Sequence, residues 1–206
     1  MPPRNHVAER LRELLSDEQV APGDRLPPER ELATQLGVSR SSLREGLRRL
    51  SDLGIIESRQ GSGTYRAPLD LGDLFEVRQR LEPLAARLAA ERRDDHDLRR
   101  LDESLAEMRA ALPDAQLFGA ADVRAHAAIV DASASVPLRV LFAAIADLLS
   151  HSRTTTSADA ALRVTALEEM TAIVAAIRAH DGTAAELAMH GHLEHVGATL
   201  TAASQP

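Results

Sequence analysis

Between residues 1 and 68, apolar side chains recur at helical spacing in three short runs. The runs are Val7, Leu11, Leu14 and Leu15, then Leu32 and Leu36, then Leu43, Leu47 and Leu50. Gly37 ends the second predicted helix, and Ser39 begins the third, because serine accepts hydrogen bonds from the N–H groups of a first helical turn. The pattern therefore predicts three helices, the last two joined by a tight turn.

A β-pattern follows the third predicted helix. Apolar residues 55–56 open one run, residues 60–63 are rich in glycine, and residues 64–65 begin a second run. Three helices followed by a small β-hairpin are typical of a winged helix-turn-helix, in which the second helix of the pair lies in a DNA major groove. We expect this domain to span residues 1–68.

The rest of the chain has helical periodicity interrupted by short loops. Six helices are predicted, over residues 71–92, 96–112, 115–132, 137–153, 160–180 and 183–202. The apolar stripe of the first consists of Leu74, Val77, Leu81, Leu84 and Leu88. The predicted fold is therefore mainly α, with a winged helix-turn-helix followed by an all-α helical bundle over residues 69–206.

Charge is distributed unevenly between the two predicted domains. The net charge is −7, yet residues 1–68 contain 11 arginines and 10 acidic residues, whereas residues 69–206 contain 13 and 21. Within the first domain, residues 39–49 carry four arginines and one acidic residue. Positive charge is concentrated at the predicted recognition helix, as attraction to a phosphate backbone requires.

Composition excludes several classes of site. The chain has no cysteine, so it has neither disulfides nor thiolate metal sites, and no apolar run is long enough to span a bilayer. Residues 1–4 do not have the pattern of a signal peptide. We expect a cytoplasmic protein without a membrane partner.

The predicted recognition helix resembles that of a known family. The segments PPERELA, LGVSRSSLREGLRRL, LGIIESRQ and GSGT are similar to the DNA-binding domain of the GntR family of bacterial transcription regulators. Arginine pairs bidentately with guanine or phosphate, and serine donates to phosphate oxygens. The resemblance implies that operator DNA is contacted by Arg30, Arg40 and Arg44, with Ser39, Ser41 and Ser42 nearby and Gly61 in the wing.

The helical half is similar to the FCD-type effector domain of the FadR subfamily of that family. Three segments carry this resemblance: DLFEVRQRLEPLAARLAA at 73–90, ADVRAHAAIVDAS at 121–133 and AIVAAIRAHDGTAAELAMHGHL at 172–193. Six predicted helices indicate the shorter, VanR-like branch. The resemblance implies a cavity for a small organic acid, with Arg78, Asp122, His126 and His192 as effector-binding residues.

Asp122 and His126 stand on one helix face, at positions i and i+4, where both can bind one ion. In the family this pair supplies two ligands of a divalent metal, Zn²⁺, Mn²⁺ or Ni²⁺, and His192 occupies the place of a third. Met170 stands where a further histidine is expected. A thioether is a poor ligand for these ions, which prefer imidazole and carboxylate.

Several interpretations of this departure stay open at the sequence level. Asp122, His126 and His192 can hold a metal as a two-histidine, one-carboxylate set, with substitution for the missing ligand by Glu169, His151 or His195. Alternatively, the cavity binds its effector without a metal, or the Asp122 and His126 side chains form an ordinary helix pair. Arg78 either points into the cavity or is an exposed side chain paired with Glu82.

The sequence thus predicts a transcription regulator that binds an operator as a homodimer and senses a small acid. Repression is favoured over activation. A homodimer is expected because one recognition helix reads too few bases. Two alternatives are a metal-dependent enzyme domain tethered to a DNA-binding module and an architectural DNA-binding dimer without an effector. No general-base or nucleophile motif supports the enzyme. Effector, operator and regulated genes are not specified.

Overall fold

The structure is a computed structural model that describes residues 7, 10, 11, 14, 15, 20, 22–68, 71–145 and 157–203, without the side chains of 71 and 199–203. The chain folds into two compact units, Met1–Leu69 and Asp70–Pro206. In the part of the chain that the structure describes, no helix has the length and hydropathy needed to cross a bilayer.

The first unit contains the predicted helices and hairpin. Its elements are α1 (Glu29–Gln35), α2 (Arg40–Asp52), β1 (Ile56–Arg59) and β2 (Gly63–Arg66). The apolar residues of the first predicted helix are helical and buried in one core with those of α1 and α2. Gly37 turns the chain between α1 and α2 with a φ of +59°, a conformation that costs residues with a Cβ more. The winged helix-turn-helix prediction is confirmed.

The hairpin is tied to the rest of this unit by a buried arginine. β1 and β2 pair antiparallel, with Ile56 opposite Arg66. Arg66 Nη1 donates to the carbonyl oxygens of Leu15 and Val20, at 2.8 and 2.7 Å. Burial lowers the pKa of Arg66 from its ordinary value, but two carbonyl acceptors compensate for the lost hydration.

The second unit is an all-α bundle. Its helices are α3 (Leu71–Arg92), α4 (Asp95–Ala111), α5 (Ala115–Ala132), α6 (Ala160–Arg178) and α7 (Gly182–Ala203). Residues 136–145 are also helical, and the rest of the helix predicted over 137–153 lies outside the described residues. The other five predicted helices are confirmed to within two residues at each end.

Aspartate side chains begin four of these helices. Asp94, Asp114 and Asp159 are the N-caps of α4, α5 and α6, and Asp181 accepts from an N–H in the first turn of α7. A carboxylate there satisfies otherwise unpaired N–H groups and lies at the positive end of the helix dipole. The loops predicted at these aspartates therefore coincide with the observed helix starts.

The predicted apolar stripe of α3 is largely wrong. Leu74 is buried, but Val77 is exposed, and Leu81, Leu84 and Leu88 are half-buried and not part of the bundle core. The buried face of α3 instead carries Phe75, Arg78, Glu82 and four alanines, Ala85, Ala86, Ala89 and Ala90. Small side chains allow neighbouring helices to approach closely, so alanine rather than leucine faces the core.

α3 and α7 pack against each other. At one point the contact depends on a missing side chain, because a Cβ on Gly197 would lie 2.6 Å from Phe75 Cε1. The Phe75 ring fills this space, and the Arg78 guanidinium carbon lies 5.2 Å from the ring centroid. The absence of a side chain at Gly197 leaves room for the ring beside a buried cation.

Candidate functional site

The residues predicted to contact DNA lie on the surface of the first unit. Ser39, Ser41, Arg40, Arg44, Arg30 and Gly61 are exposed and Ser42 is half-exposed. The opposite face of α2 carries Leu43, Leu47 and Leu50, which are buried. The helix therefore presents its polar face outward, as a recognition helix requires.

Three serines form a hydroxyl cluster at the N-terminus of α2. The Ser39 side chain accepts the Ser42 N–H at 3.1 Å, and its Oγ lies 2.9 Å from the hydroxyls of both Ser41 and Ser42. The free N–H groups and the helix dipole attract anions at such an end. Such an N-terminus is suited to an anion such as a phosphate group.

Arg44 is held by a carboxylate from the preceding helix. Its Nε donates to Glu29 Oε2 at 2.8 Å, and both side chains are accessible to solvent. An ion pair this exposed contributes little to stability. Its effect is on orientation, because the bond at Nε leaves the two terminal nitrogens of the guanidinium for a base or a phosphate.

The second unit contains a cavity lined by charged and apolar side chains. The lining residues are Arg78, Phe118, Asp122, Ser157, Leu162, Arg163, Ala166, Glu169, His192, His195 and Val196. It is small, with room for about two waters. Charged groups around so small a space interact strongly.

Asp122, His126 and His192 come together beside this cavity. One ligand atom of each lies within 4.8 Å of the other two, and all three residues are buried. The imidazole rings of His126 and His192 lie 5.3 Å apart between centroids, and His126 Nε2 is 3.6 Å from Asp122 Oδ1. The structure thus brings together the three residues that the sequence singled out.

His126 is oriented by a carboxylate behind it. Its Nδ1 donates to Glu82 Oε2, and Nε2 makes no hydrogen bond within the described parts of the chain. Burial lowers the pKa of His126 despite the opposing charge and hydrogen bond of Glu82, and Arg78 lowers it further. The ring is therefore neutral at pH 7, with the Nε2 lone pair directed at the cluster.

Glu169 orients the His192 ring, as Glu82 orients that of His126. Its two oxygens accept from His192 Nδ1 at 2.7 Å and from His195 Nδ1 at 2.8 Å. Burial acts to raise the pKa of Glu169, but the hydrogen bonds and charges of the two histidines bring it below the usual value. Glu169 and His195 thus engage each other and neither joins the group of possible metal ligands; His151 lies outside the described residues.

Arg78 combines the two sequence interpretations, because it lines the cavity and also pairs with Glu82. Its Nε donates to Glu82 Oε1 at 2.7 Å, as the helix-pair interpretation predicts, but only 1% of the residue is exposed. No described residue accepts a hydrogen bond from Nη1 or Nη2. Unpaired buried donors are costly, and a cation that lines a cavity is a ready partner for a carboxylate.

Met170 is completely buried and belongs to the apolar core of the bundle, together with Phe118, Ala125 and Ile173. A methionine there contributes packing by a flexible, apolar side chain.

Two side chains at this site were not singled out as candidates from the sequence. Arg163 lines the cavity, where its Nε and Nη1 donate to carbonyl oxygens of Leu112 and Ser157. Glu82 bridges Arg78 and His126. Neither has a sequence signal, because an arginine in a helix and an Arg–Glu pair at i, i+4 both resemble an ordinary solvated surface.

The cluster has the donor set of a divalent metal site. Two imidazoles, each fixed through Nδ1 by a carboxylate, and one further carboxylate suit Zn²⁺, Mn²⁺ or Ni²⁺. The buried Nε2 of His126 has no hydrogen bond from the described residues, and it is the atom through which this ring would bind such an ion. The residues present therefore fit a metal, although Met170 supplies no fourth ligand.

Comparison with known proteins assigns both units to families. Residues 3–65 match the bacterial regulatory proteins of the gntR family, and residues 73–195 match the FCD domain. The HTH-type transcriptional regulator LutR of Bacillus subtilis is 34% identical over 91% of this chain and 96% of its own. The galactonate operon transcriptional repressor of Escherichia coli is 34% identical over 81% and 83% of the two chains. The solved structure of E. coli McbR/YncC, at 22% identity, shares the fold with a TM-score of 0.83 over 98% of both chains.

Proposed function

This chain belongs to the GntR family of bacterial regulatory proteins and carries an FCD domain, and we propose from its geometry which residues bind the operator and the effector. It is a transcriptional regulator rather than an enzyme, in keeping with its relatives. For the operator we propose contacts by Arg30, Arg40 and Arg44, by the hydroxyl cluster of Ser39, Ser41 and Ser42, and by Gly61 in the wing.

We propose a small organic acid as the effector. The observation that carries this proposal is Arg78, a buried guanidinium that lines the cavity and whose Nη1 and Nη2 find no acceptor among the described residues. A carboxylate would accept from both nitrogens. The name of the galactonate operon repressor concerns a sugar acid, so hydroxy acids are the first compounds to test.

We further propose that Asp122, His126 and His192 hold a divalent metal next to that acid. A bound ion would supply a Lewis-acidic positive charge that attracts a carboxylate. The protein's own contribution is the orientation of both imidazoles and the Arg78 guanidinium, all in a space with little water.

The protein acts as a homodimer in the cytoplasm on an operator with two half-sites. Val77, Leu81, Leu84 and Leu88 support this part of the proposal. Their spacing of four, three and four residues matches the apolar seam between two packed helices. These side chains lie outside the bundle core, so a second copy of α3 would bury them.

Effector binding changes operator affinity only if the effector prefers one of two arrangements of the dimer. The cavity has room for about two waters, so entry of a hydroxy acid should displace some of the side chains that line it. That displacement is the difference between the two states, and we propose that the arrangement with the acid bound releases the operator.

Thermal unfolding with a panel of hydroxy acids, with and without EDTA, tests this function. An acid at a hundred times its Kd should add about 2.7 kcal/mol of stability. The same acid should release operator DNA in a mobility-shift assay, whereas Arg78→Gln should abolish both effects. If Arg78→Gln responds like the wild type, the acid does not bind where we propose.

A further inference from the structure

We propose that Glu82 is a positioning residue that orients the metal-binding and the anion-binding groups of the cavity at once. This proposal rests on the function proposed above, because it concerns the same cavity. It adds a residue that lies behind the proposed ligands and would touch neither metal nor effector.

The position of Glu82 carries the first step of the argument. Only 1% of this residue is exposed, and the same is true of Arg78 and His126. One carboxyl oxygen accepts from Arg78 Nε and the other from His126 Nδ1. A carboxylate so deeply buried is tolerable because both oxygens have charged or strongly polar donors.

The two hydrogen bonds fix the orientations of the His126 ring and of the Arg78 guanidinium. Donation from Nδ1 leaves the lone pair of His126 on Nε2, and the ring then directs that atom at Asp122 and His192. Donation from Nε fixes the plane of the Arg78 guanidinium, and its two terminal nitrogens are left for the cavity. A single carboxylate thereby determines where the metal ligand and the anion clamp point.

Glu169 provides a comparison within the same cavity. It holds two histidines, His192 and His195, but contacts no arginine in the hydrogen bonds that the structure shows. Glu169 should therefore matter for metal binding through His192 but not for the orientation of Arg78. In these hydrogen bonds Glu82, rather than Glu169, bridges an imidazole and a guanidinium.

Glutamine tests this role because it keeps the size of Glu82 and removes one acceptor. An amide has a single oxygen, so it cannot accept from both Arg78 Nε and His126 Nδ1. In Glu82→Gln, His126 can turn to the other tautomer, with a proton on Nε2. Loss of such an outer carboxylate typically lowers metal affinity 10–100-fold.

The experiment titrates Zn²⁺ into metal-stripped, full-length protein by calorimetry. We expect a roughly 10–100-fold higher Kd for Zn²⁺ in Glu82→Gln than in the wild type. Glu107→Gln, which changes an exposed carboxylate paired with Arg124, should bind Zn²⁺ like the wild type. Equal affinity in Glu82→Gln and wild type would overturn the proposal, and so would a wild type that does not bind Zn²⁺.

A second measurement does not depend on the stability of a variant. Nitrogen NMR of the metal-free wild type reports which ring nitrogen of His126 carries the proton. A proton on Nδ1 is expected, and it should be retained in Glu169→Gln because that variant leaves Glu82 in place. A proton on Nε2 would contradict the assignment even if Glu82→Gln failed to fold.

These outcomes separate this proposal from the function proposed above. Organic acids can stabilise the wild type and release the operator while Glu82→Gln binds Zn²⁺ as tightly as the wild type does. In that case only the positioning role of Glu82 fails. If Glu82→Gln weakens Zn²⁺ binding while no acid affects operator binding, the positioning role stands and the effector proposal fails.

Discussion

Arg40 and Arg44 have the same placement on α2 but different neighbours. Both are exposed on the polar face, and Arg44 is additionally held by Glu29. Because each would lose contacts to a base or a phosphate, replacing either with alanine should weaken operator binding by about 1–3 kcal/mol. A fluorescence titration with operator DNA measures this, with circular dichroism as the check on folding. Unchanged affinity would remove that residue from the interface.

Met170 is the residue at which this chain departs most clearly from its family resemblance. If position 170 faces the cluster, Met170→His would add an imidazole, and the variant should retain more Zn²⁺ through dialysis than the wild type. Elemental analysis measures the metal content. His126→Ala in the same background should remove the gain, and Met170→Leu controls for packing. Equal metal content in wild type and Met170→His would show that position 170 points elsewhere.

Individual residues were predictable from the sequence where a motif specified them. Asp122, His126 and His192 meet as the pattern implied, since helix spacing and family resemblance agreed. Glu82 was not singled out as a site residue, because it lies on another helix than His126 and their contact is not visible in the sequence. The sequence left open whether Arg78 lines the cavity or is exposed, because an Arg–Glu pair within one helix gives the same pattern on a surface and in a core.

At the scale of elements, the aspartate caps make a helix start sensitive to acid. The hydrogen bond from the Asp97 N–H to Asp94 lowers the pKa of Asp94 below its ordinary value, against a smaller desolvation effect. The ordinary pKa of Asp94 applies to the unfolded chain and the lowered pKa to the folded chain. The cap therefore stabilises the fold fully above the ordinary pKa, and this stabilisation is lost as the pH falls through the lowered pKa.

Asp94→Asn keeps an acceptor that does not titrate. The stability advantage of wild type over Asp94→Asn should therefore shrink between about pH 5 and about pH 3. Urea unfolding at several pH values measures the free energies. Asp95→Asn, at the next position and without a capping bond in the structure, is the matched control. A constant difference across this range would mean that the cap does not act as a carboxylate.

The outward face of α3 should form the interface of the proposed dimer. Leu81→Glu and Leu84→Glu place charges on that face without altering the bundle core. Because a dimer would bury these charges unpaired, we expect monomers in size-exclusion chromatography with light scattering. Leu187→Glu changes an exposed leucine of α7 and should leave the dimer intact. A dimeric Leu81→Glu, Leu84→Glu double variant would place the interface on another face.

Helix boundaries were predictable because aspartate, glycine and proline mark them locally. The buried face of α3 was not, because periodicity counts large apolar residues, whereas the core of this bundle takes up alanine and an ion pair. The leucines on the outer face are where we propose that a second copy packs, and the sequence predicted a homodimer without indicating this face.

On the scale of the whole molecule, the two units have separate cores. Cutting after Pro68 should leave a folded fragment 1–68 that binds operator DNA more weakly than the intact protein, because the proposed dimer contacts are lost. The fragment 69–206 should keep the stabilisation by an acid that stabilises the full chain. Thermal unfolding of that fragment decides the second point. An acid response confined to the full chain would place the effector site outside this unit.

The contact between Gly197 and Phe75 has a consequence for how this family can vary. Because a Cβ at position 197 would clash with the ring in its present place, the two positions are constrained as a pair. We expect relatives with alanine or serine at the position of Gly197 to carry a smaller or displaced side chain at that of Phe75. Such relatives would lose the aromatic cover beside the Arg78 guanidinium, so covariation of these two positions should follow changes in the chemistry of the effector.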